Sequence, residues 1–199
     1  MLEKIANPQG KGMVGVSDDL RACTPMHVCA KSFAQWLADY FSSSLVLNAH
    51  FKFKPVVGNN YYLYLKNKQW KLSLIEPVAW LEHDAGIFFA CCMLHSDMSW
   101  SVEPRDDWQD QSLLHNAVMQ LQQVFLQSLD NESSISKQLP FYLAQLPYYQ
   151  RLGANALARS LKLSLELKLG NNACTQLSGK HLLEKLKNSD VQLLGCDIE

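Results

Sequence analysis

Two runs of alternating residues around a two-residue turn constrain the fold of this chain more than any other feature. Residues 61–66 and 69–75 flank Asn67-Lys68. A two-residue loop that begins with Asn is typical of a tight β-hairpin, because Asn tolerates a positive φ. Pairing Lys66 with Gln69 brings the apolar side chains onto one face, which we expect to face the core. The cross-strand pairs on that face are then Leu65 with Trp70, Leu63 with Leu72, and Tyr61 with Leu74.

The flanking sequence predicts further strands and helices. Thr24 and Pro25 are suited to begin a helix, whose apolar stripe is Phe33, Trp36, Leu37, Tyr40 and Phe41. Strands are predicted at residues 51–54, 87–94 and 97–102, and helices from about residue 110, over residues 148–169 and near residue 182. The sequence therefore predicts an α+β fold, in which a small antiparallel sheet of about four strands within residues 50–102 is flanked by an N-terminal helix and C-terminal helices.

Length and composition favour a single domain over residues 1–199. A chain of 199 residues, of which 48% are hydrophobic, can bury a sizeable core without disulfides or metals. We expect an irregular arm over residues 1–22, where Asn7-Pro8 and several glycines interrupt regular structure. A helix and the sheet should follow over residues 24–104, and a helical part over residues 110–199.

The charges are balanced overall but uneven along the chain. The formal net charge is −1, which gives no global sign of a nucleic-acid or membrane protein. Residues 49–75 nevertheless carry five lysines and no acid, whereas residues 76–107 carry seven acids and one arginine. Only 19% of the residues are charged, below the usual ~25%, which favours an interface with a partner protein or a homo-oligomer.

The face of the hairpin opposite the core face is the candidate binding surface. Aromatic side chains interleaved with lysines on a sheet can stack on bases and neutralise phosphates. The alternative is that this face is covered by the C-terminal helices or by the acidic segment that begins at Glu76. The candidate binding residues are Tyr62, Tyr64, Lys66 and Lys71, extended by Lys52 and Lys54.

Catalytic and metal signals are weak. His83-Asp84, His95 and Asp97 lie around the third predicted strand, where a histidine could act as a general base with an orienting carboxylate, although a polar loop and turn explain the same residues. Cys23, His27 and Cys29 lack a fourth ligand and diverge if the helix begins near Pro25, so we expect no metal. The glycines of residues 10–15 match a dinucleotide-binding spacing without a surrounding βαβ pattern, so we expect no cofactor.

The sequence also predicts a cellular compartment. The first residues lack an apolar signal core, and the longest largely apolar run, residues 85–94, is too short to span a bilayer. We therefore expect a cytoplasmic protein with no membrane partner, in which the six cysteines are reduced.

Three motifs within residues 50–102 resemble the signature of a domain-of-unknown-function family of bacteria and eukaryotes. They are FxFxPxxGxxYYLY at residues 51–64, LSxIxPxxW at residues 72–80, and LxxDxxW at residues 94–100. The resemblance implies a shared domain, with a cytosolic or nuclear location for the family's eukaryotic members. It implies no activity and no catalytic residues.

Three functions remain open from the sequence. The first is a non-catalytic protein-binding or adaptor module, favoured by the low charge, the leucine-rich C-terminal helices and the absence of a catalytic motif. The second is a single-stranded nucleic-acid binder that uses the tyrosine and lysine face. The third is an enzyme that works through His95 and Asp97.

Overall fold

The computed structural model describes residues 13–80, 86–141, 143–187, 192–194 and 196–197. It contains a four-stranded antiparallel sheet in the order β2-β1-β3-β4, together with flanking helices, which confirms the α+β class. The strands of this sheet are β1 (Asn60–Lys66), β2 (Gln69–Ser73), β3 (Ile87–Leu94) and β4 (Trp100–Pro104). A short two-stranded ribbon, β5 (Gln192–Leu193) and β6 (Cys196–Asp197), lies near the end of the chain.

Helices precede and follow the sheet. The described residues before it form α1 (Met13–Ala22) and α2 (Phe33–Leu47). Five come after it: α3 (Ser112–Leu129), α4 (Ile135–Gln138), α5 (Tyr148–Leu169), α6 (Asn171–Gln176) and α7 (Gly179–Leu186). The bounds of α5 confirm the helix expected over residues 148–169. Gly170, with a φ of 80°, ends that helix in a conformation that favours glycine.

The predicted hairpin register is confirmed over most of its length. Lys66 pairs with Gln69, Leu65 with Trp70, and Leu63 with Leu72. Asn67 and Lys68 both adopt positive φ values, 51° and 61°, as a two-residue turn between twisted strands requires.

The pairing predicted between Tyr61 and Leu74 is wrong. Strand β2 ends at Ser73, and Leu74 is 60% exposed. The Ser73 hydroxyl accepts a hydrogen bond from the Ile75 backbone N–H at 3.0 Å. This local turn directs the chain out of the sheet before Leu74 can pair.

Strand β4 begins three residues later than predicted, because residues 95–99 form a turn. The backbone N–H of Met98 donates to the His95 carbonyl at 3.0 Å, and Met98 has a φ of 67°. The backbone N–H of His95 donates to the Ser99 carbonyl at 2.9 Å, which closes the hairpin between β3 and β4.

The strand predicted at residues 51–54 does not form. His50 instead makes an isolated parallel bridge to Lys71, with its N–H donating to the Trp70 carbonyl at 2.7 Å. Its carbonyl accepts from the Leu72 N–H at 3.2 Å. The bridge occupies the middle of the free edge of β2, which hinders another strand from adding there.

The N-terminal predictions need two corrections. Residues 13–22 of the expected irregular arm form helix α1, which is anchored by an ion pair of 2.8 Å between buried Asp19 and Lys54. Residues 1–12, with most of the glycine-rich spacing, lie outside the described residues. The helix predicted to begin at Thr24 and Pro25 begins instead at Phe33, where the Ser32 hydroxyl accepts a hydrogen bond from the Gln35 N–H. His27, with a φ of 57°, interrupts helical geometry between Pro25 and Phe33.

Helix α2 belongs to both apolar clusters of the core. Its Trp36 and Phe41 pack with α5 and the other C-terminal helices, whereas Leu45 and Val46 pack against the sheet with residues of α3. The Trp36 indole N–H donates to the Leu161 carbonyl at 2.9 Å, so the polar end of this buried ring is satisfied. One face of the sheet is therefore covered by α2 and α3.

Replacing Trp70 tests this assignment of faces. Trp70 is 7% exposed and packs on Phe89, with ring centroids 5.1 Å apart. We expect Trp70→Ala to lower the free energy of unfolding by about 3–5 kcal/mol. Gln69→Ala, at an exposed neighbour on the same strand, should change it by less than ~0.5 kcal/mol. Denaturant melts measure both; similar losses in the two variants would show that the faces are assigned wrongly.

Candidate functional site

The face of the sheet opposite α2 and α3 carries the candidate site, which we call the outer face. Alternate residues of each strand point to opposite faces, and the core face is identified by Leu63, Leu72 and Val102, which pack with the α2 and α3 residues. The outer-face residues belong to neither apolar cluster. Its chief side chains are Tyr62, Tyr64, Lys66, Lys71, Phe88, Cys91, Met93 and Glu103.

An aromatic row crosses the outer face. The ring of Phe88 lies between those of Tyr62 and Tyr64, with centroid distances of 6.4 and 5.6 Å. Tyr64 in turn meets Trp80 edge to face at 6.0 Å. The Lys71 ammonium lies 5.1 Å from the centre of the Trp80 ring, within the range of a cation–π contact.

Residues 74–80 fold back onto one end of this row. A 3₁₀ turn at Pro77–Ala79 brings Trp80 over the sheet. The Tyr64 hydroxyl and the Trp80 indole N–H both donate to the Ile75 carbonyl, at 2.9 and 3.3 Å. Tyr64 is consequently only 1% exposed, so the expected covering by the segment after Glu76 holds at this end of the face.

The rest of the outer face is open among the described residues. Tyr62, Phe88, Cys91 and Met93 are half-buried, and Glu103 is exposed. Three large apolar side chains stand at its margin, Leu74, Ile75 and Val78, exposed by 60, 43 and 87%. This concentration of apolar and aromatic side chains is the kind of surface that protein interfaces use.

The six binding residues predicted from the sequence do not share one surface. Tyr62, Lys66 and Lys71 lie on the outer face, whereas Tyr64 is covered. The ammonium of Lys54 is bound to Asp19 of helix α1. Lys52 is exposed, and the flanking Phe51 and Phe53 pack with the sheet core.

Nucleophilic chemistry by the Cys91 thiol or the Tyr62 hydroxyl on the outer face is disfavoured. Burial raises the pKa of Cys91, and the Glu103 carboxylate raises it further. The pKa of Tyr62 is raised by desolvation and by Glu76. Both groups are therefore protonated at neutral pH, which suits packing and hydrogen bonding better than nucleophilic attack.

Asp97 forms a hydrogen-bonded ion-pair cluster with Lys31 and Ser99, which we call the clamp. One of its oxygens lies 2.6 Å from the Lys31 ammonium, and the other accepts from the Ser99 N–H and hydroxyl at 3.0 and 2.6 Å. Lys31 also binds Asp39 of α2 at 2.6 Å. Burial alone would raise the pKa of Asp97, but the hydrogen bonds from Lys31 and Ser99 outweigh it and hold the pKa below its usual value.

The remaining sequence candidates are not brought together. His95 is exposed, and its backbone groups close the turn before β4, while Asp97 is engaged by the clamp. His83-Asp84 lies outside the described residues. Cys23, His27 and Cys29 fall in an irregular segment, and the part of the chain that the structure describes holds no group of three His, Cys, Asp or Glu suited to a metal.

The clearest cavities lie away from the outer face. One of about 470 Å³ opens between α2, α3, residues 137–141 and Leu143, and Phe41, Leu121 and Phe125 are among its lining residues. Another of about 600 Å³ runs along α3 and is lined mainly by Gln and Asn side chains.

None of the described helices combines the length and apolar character needed to cross a bilayer.

Comparisons with known proteins assign no family to this chain. No family model matches the chain, and no curated protein or solved structure shows significant similarity to it.

The clamp predicts a specific dependence of stability on pH. Because the folded-state pKa of Asp97 is lowered, its contribution is present above the unfolded pKa of about 3.9 and is lost as the pH falls through the folded value. We expect Asp97→Asn to lower the free energy of unfolding by about 1–3 kcal/mol at neutral pH. The difference between wild type and Asp97→Asn should shrink below about pH 4.

Denaturant melts at several pH values measure this effect. Asp106→Asn is the control, since Asp106 is an exposed carboxylate in the turn that follows β4, and it should follow the wild-type curve. A constant difference between Asp97→Asn and wild type down to pH 2 would contradict the electrostatic role of Asp97.

Proposed function

We propose that this protein is a non-catalytic protein-binding module whose docking surface is the outer face of the sheet and its exposed margin. The observation that carries the proposal is the half-buried aromatic set of Tyr62, Phe88 and Trp80, flanked by the exposed side chains of Leu74 and Val78. Neither core cluster of the described residues uses this face. Covering it with a partner would remove apolar area from water at roughly 25 cal/mol per Å².

The arrangement of the face supports a protein partner. Binding energy at protein interfaces concentrates on a few aromatic anchors inside a polar rim. Tyr62 and Phe88 lie on the two central strands, while Lys71 and Glu103 lie on the two edge strands. Tyr62 and Phe88 therefore lie between a lysine on one edge strand and a glutamate on the other.

The two other functions have less support. A nucleic-acid binder would need Tyr64 for stacking and Lys54 for phosphate, but Tyr64 is covered by Trp80 and Lys54 is paired with Asp19. An enzyme that used Asp97 would need a carboxylate free to exchange protons. That carboxylate instead accepts hydrogen bonds from Lys31 and Ser99.

Affinity capture with matched variants tests the proposal. The tagged protein would be purified from cells that express it, and bound proteins, including untagged copies, would be measured by mass spectrometry. The double variant Tyr62→Ala/Val78→Glu alters the outer face. Leu167→Glu is the control, because Leu167 is 55% exposed on α5.

We expect the outer-face variant to lose a bound protein at least about tenfold while the control retains it, because removing an anchor residue costs more than ~1 kcal/mol. Both variants should have wild-type circular dichroism. Equal capture by all three proteins, or co-purification of nucleic acid alone, would contradict the proposal.

A further inference from the structure

We propose that the cavity between α2 and α3 is a binding site for a medium-chain alkyl carboxylate, whose chain lies between the two helices and whose carboxylate meets Lys137. The cavity lies away from the outer face, so this inference is independent of the proposed function. It follows from the volume and the lining of the cavity and from the charge at its mouth.

The cavity has the size of a small-ligand site. Its volume is about 470 Å³, and small-molecule sites in proteins usually enclose about 300–1,000 Å³. Its walls are formed by residues 40–48, at the end of α2, and by residues 121–128 of α3. At 1.5 Å per residue these walls are about 10–12 Å long, which suits an alkyl chain of about eight to ten carbons.

The lining positions form one continuous stripe on each helix. On α3 they are residues 121, 124, 125 and 128, and on α2 they include residues 40, 41, 44 and 45. Residues spaced by three and four positions lie on the same face of a helix. The two stripes therefore face the same elongated space, as a site for a chain-like ligand requires.

The interior of the cavity is apolar and incompletely covered by the protein. Leu121 and Phe125 are only partly buried, and Val124 is 58% exposed. An alkyl chain in the cavity would remove their surface from water, which strengthens binding about fourfold for each buried CH₂ group. The chief apolar lining residues are Phe41, Leu45, Leu121, Val124, Phe125 and Leu139.

Several neutral polar side chains around the cavity are already used within the protein. The Tyr40 hydroxyl donates to the Gln138 carbonyl at 2.9 Å, and the Ser128 hydroxyl donates to a carbonyl of its own helix at 2.6 Å. The Asn48 side-chain amide donates to the Ser44 carbonyl at 2.8 Å. Because these donors are occupied, the lining favours a ligand that is mostly hydrocarbon over a sugar or a nucleoside.

Lys137 supplies the charge at the mouth of the cavity. It is exposed and is the one charged residue among the described residues that line the cavity. No acid in the described ranges forms an ion pair with its ammonium. Its neighbours Ile135 and Leu139 are buried, 0 and 4% exposed, which fixes the short helix α4 against the core.

The single ammonium of Lys137 indicates the head group of the ligand. It balances the single negative charge of a carboxylate, whereas a phosphate monoester carries about −1.5 to −2 at neutral pH. The walls add no competing charge, since α3 contains no Lys, Arg, Asp or Glu. A medium-chain carboxylate therefore matches both the apolar walls and the charge at the mouth.

Isothermal titration calorimetry of the full chain at neutral pH tests the site with three ligands below their micelle concentrations. They are decanoate, octanoate and decyltrimethylammonium, which has the same ten-carbon chain with a positive head group. We expect decanoate to bind with a dissociation constant on the order of 10–100 µM. Octanoate should bind about tenfold more weakly, because it buries two fewer CH₂ groups, and decyltrimethylammonium at least about tenfold more weakly.

Variants at the mouth and in the wall separate the head group from the chain. Lys137→Glu should reverse the preference, so that decyltrimethylammonium binds more tightly than decanoate. Lys52→Glu is the matched control, because Lys52 is exposed and does not line the cavity, and it should keep the wild-type preference. Ser44→Trp should weaken both ten-carbon ligands at least about tenfold, since Ser44 lines the cavity and an indole would occupy it.

Three results would overturn the inference. They are a wild type that binds no decanoate up to about 1 mM, a Lys137→Glu variant that keeps the wild-type preference, and a folded Ser44→Trp variant that binds as the wild type does. Should Ser44→Trp fail to fold, the reversal in Lys137→Glu still decides. Sedimentation velocity adds one further outcome: a wild-type dimer that excludes decanoate would assign the cavity to a second copy of the chain and contradict the inference.

Discussion

The register of the hairpin between β1 and β2 is the constraint on which the rest of the structure depends. Because side chains alternate between faces, a slip of one residue would exchange the core face and the outer face. The two residues Asn67 and Lys68, both with positive φ, set that register. Trp70 and Leu72 then enter the core with Leu63 and Leu65, while Lys71 stays on the outer face. The set of side chains on the outer face of β1 and β2 follows from this turn.

Helix α2 connects the sheet to the C-terminal helices through its side chains in both apolar clusters. Leu45 and Val46 seal the core face of the sheet, while Trp36 and Phe41 on the same helix pack with the C-terminal helices. The Lys31 ammonium ties Asp39 of α2 to Asp97 in the turn between β3 and β4. The sheet is thus buried on one side and held at its turn, while on the opposite side Tyr62, Phe88, Cys91 and Met93 are half-buried.

The sequence predicted the fold well where a pattern is local. The hairpin register, strand β3 and helix α5 depend on alternation, apolar runs or helical spacing over a few residues. Strand β3 and helix α5 are confirmed, and the register is confirmed from Lys66–Gln69 to Leu63–Leu72. Helix α1 was missed because its anchor, the contact of Asp19 with Lys54, joins residues 35 positions apart. The outer face was predicted only in part. Strict alternation along β3 would place Phe88 on the same face as Ala90, which is the core face. A β-bulge, where the pairing of β1 with β3 shifts between Leu63 and Tyr64, instead puts Phe88 on the outer face with Cys91.

Hydroxyl-radical footprinting at submicromolar protein concentration tests most directly whether the outer face is exposed in the monomer. The adjacent residues Phe88 and Phe89 provide an internal comparison, since Phe88 is half-buried on the outer face and Phe89 is 0% exposed. A second comparison sets Met93 on the outer face against Met98, which is 4% exposed. We predict that Phe88 and Met93 are oxidised several times faster than Phe89 and Met98. Equal protection of Phe88 and Phe89 would contradict the account, because it would show that the chain itself covers the outer face.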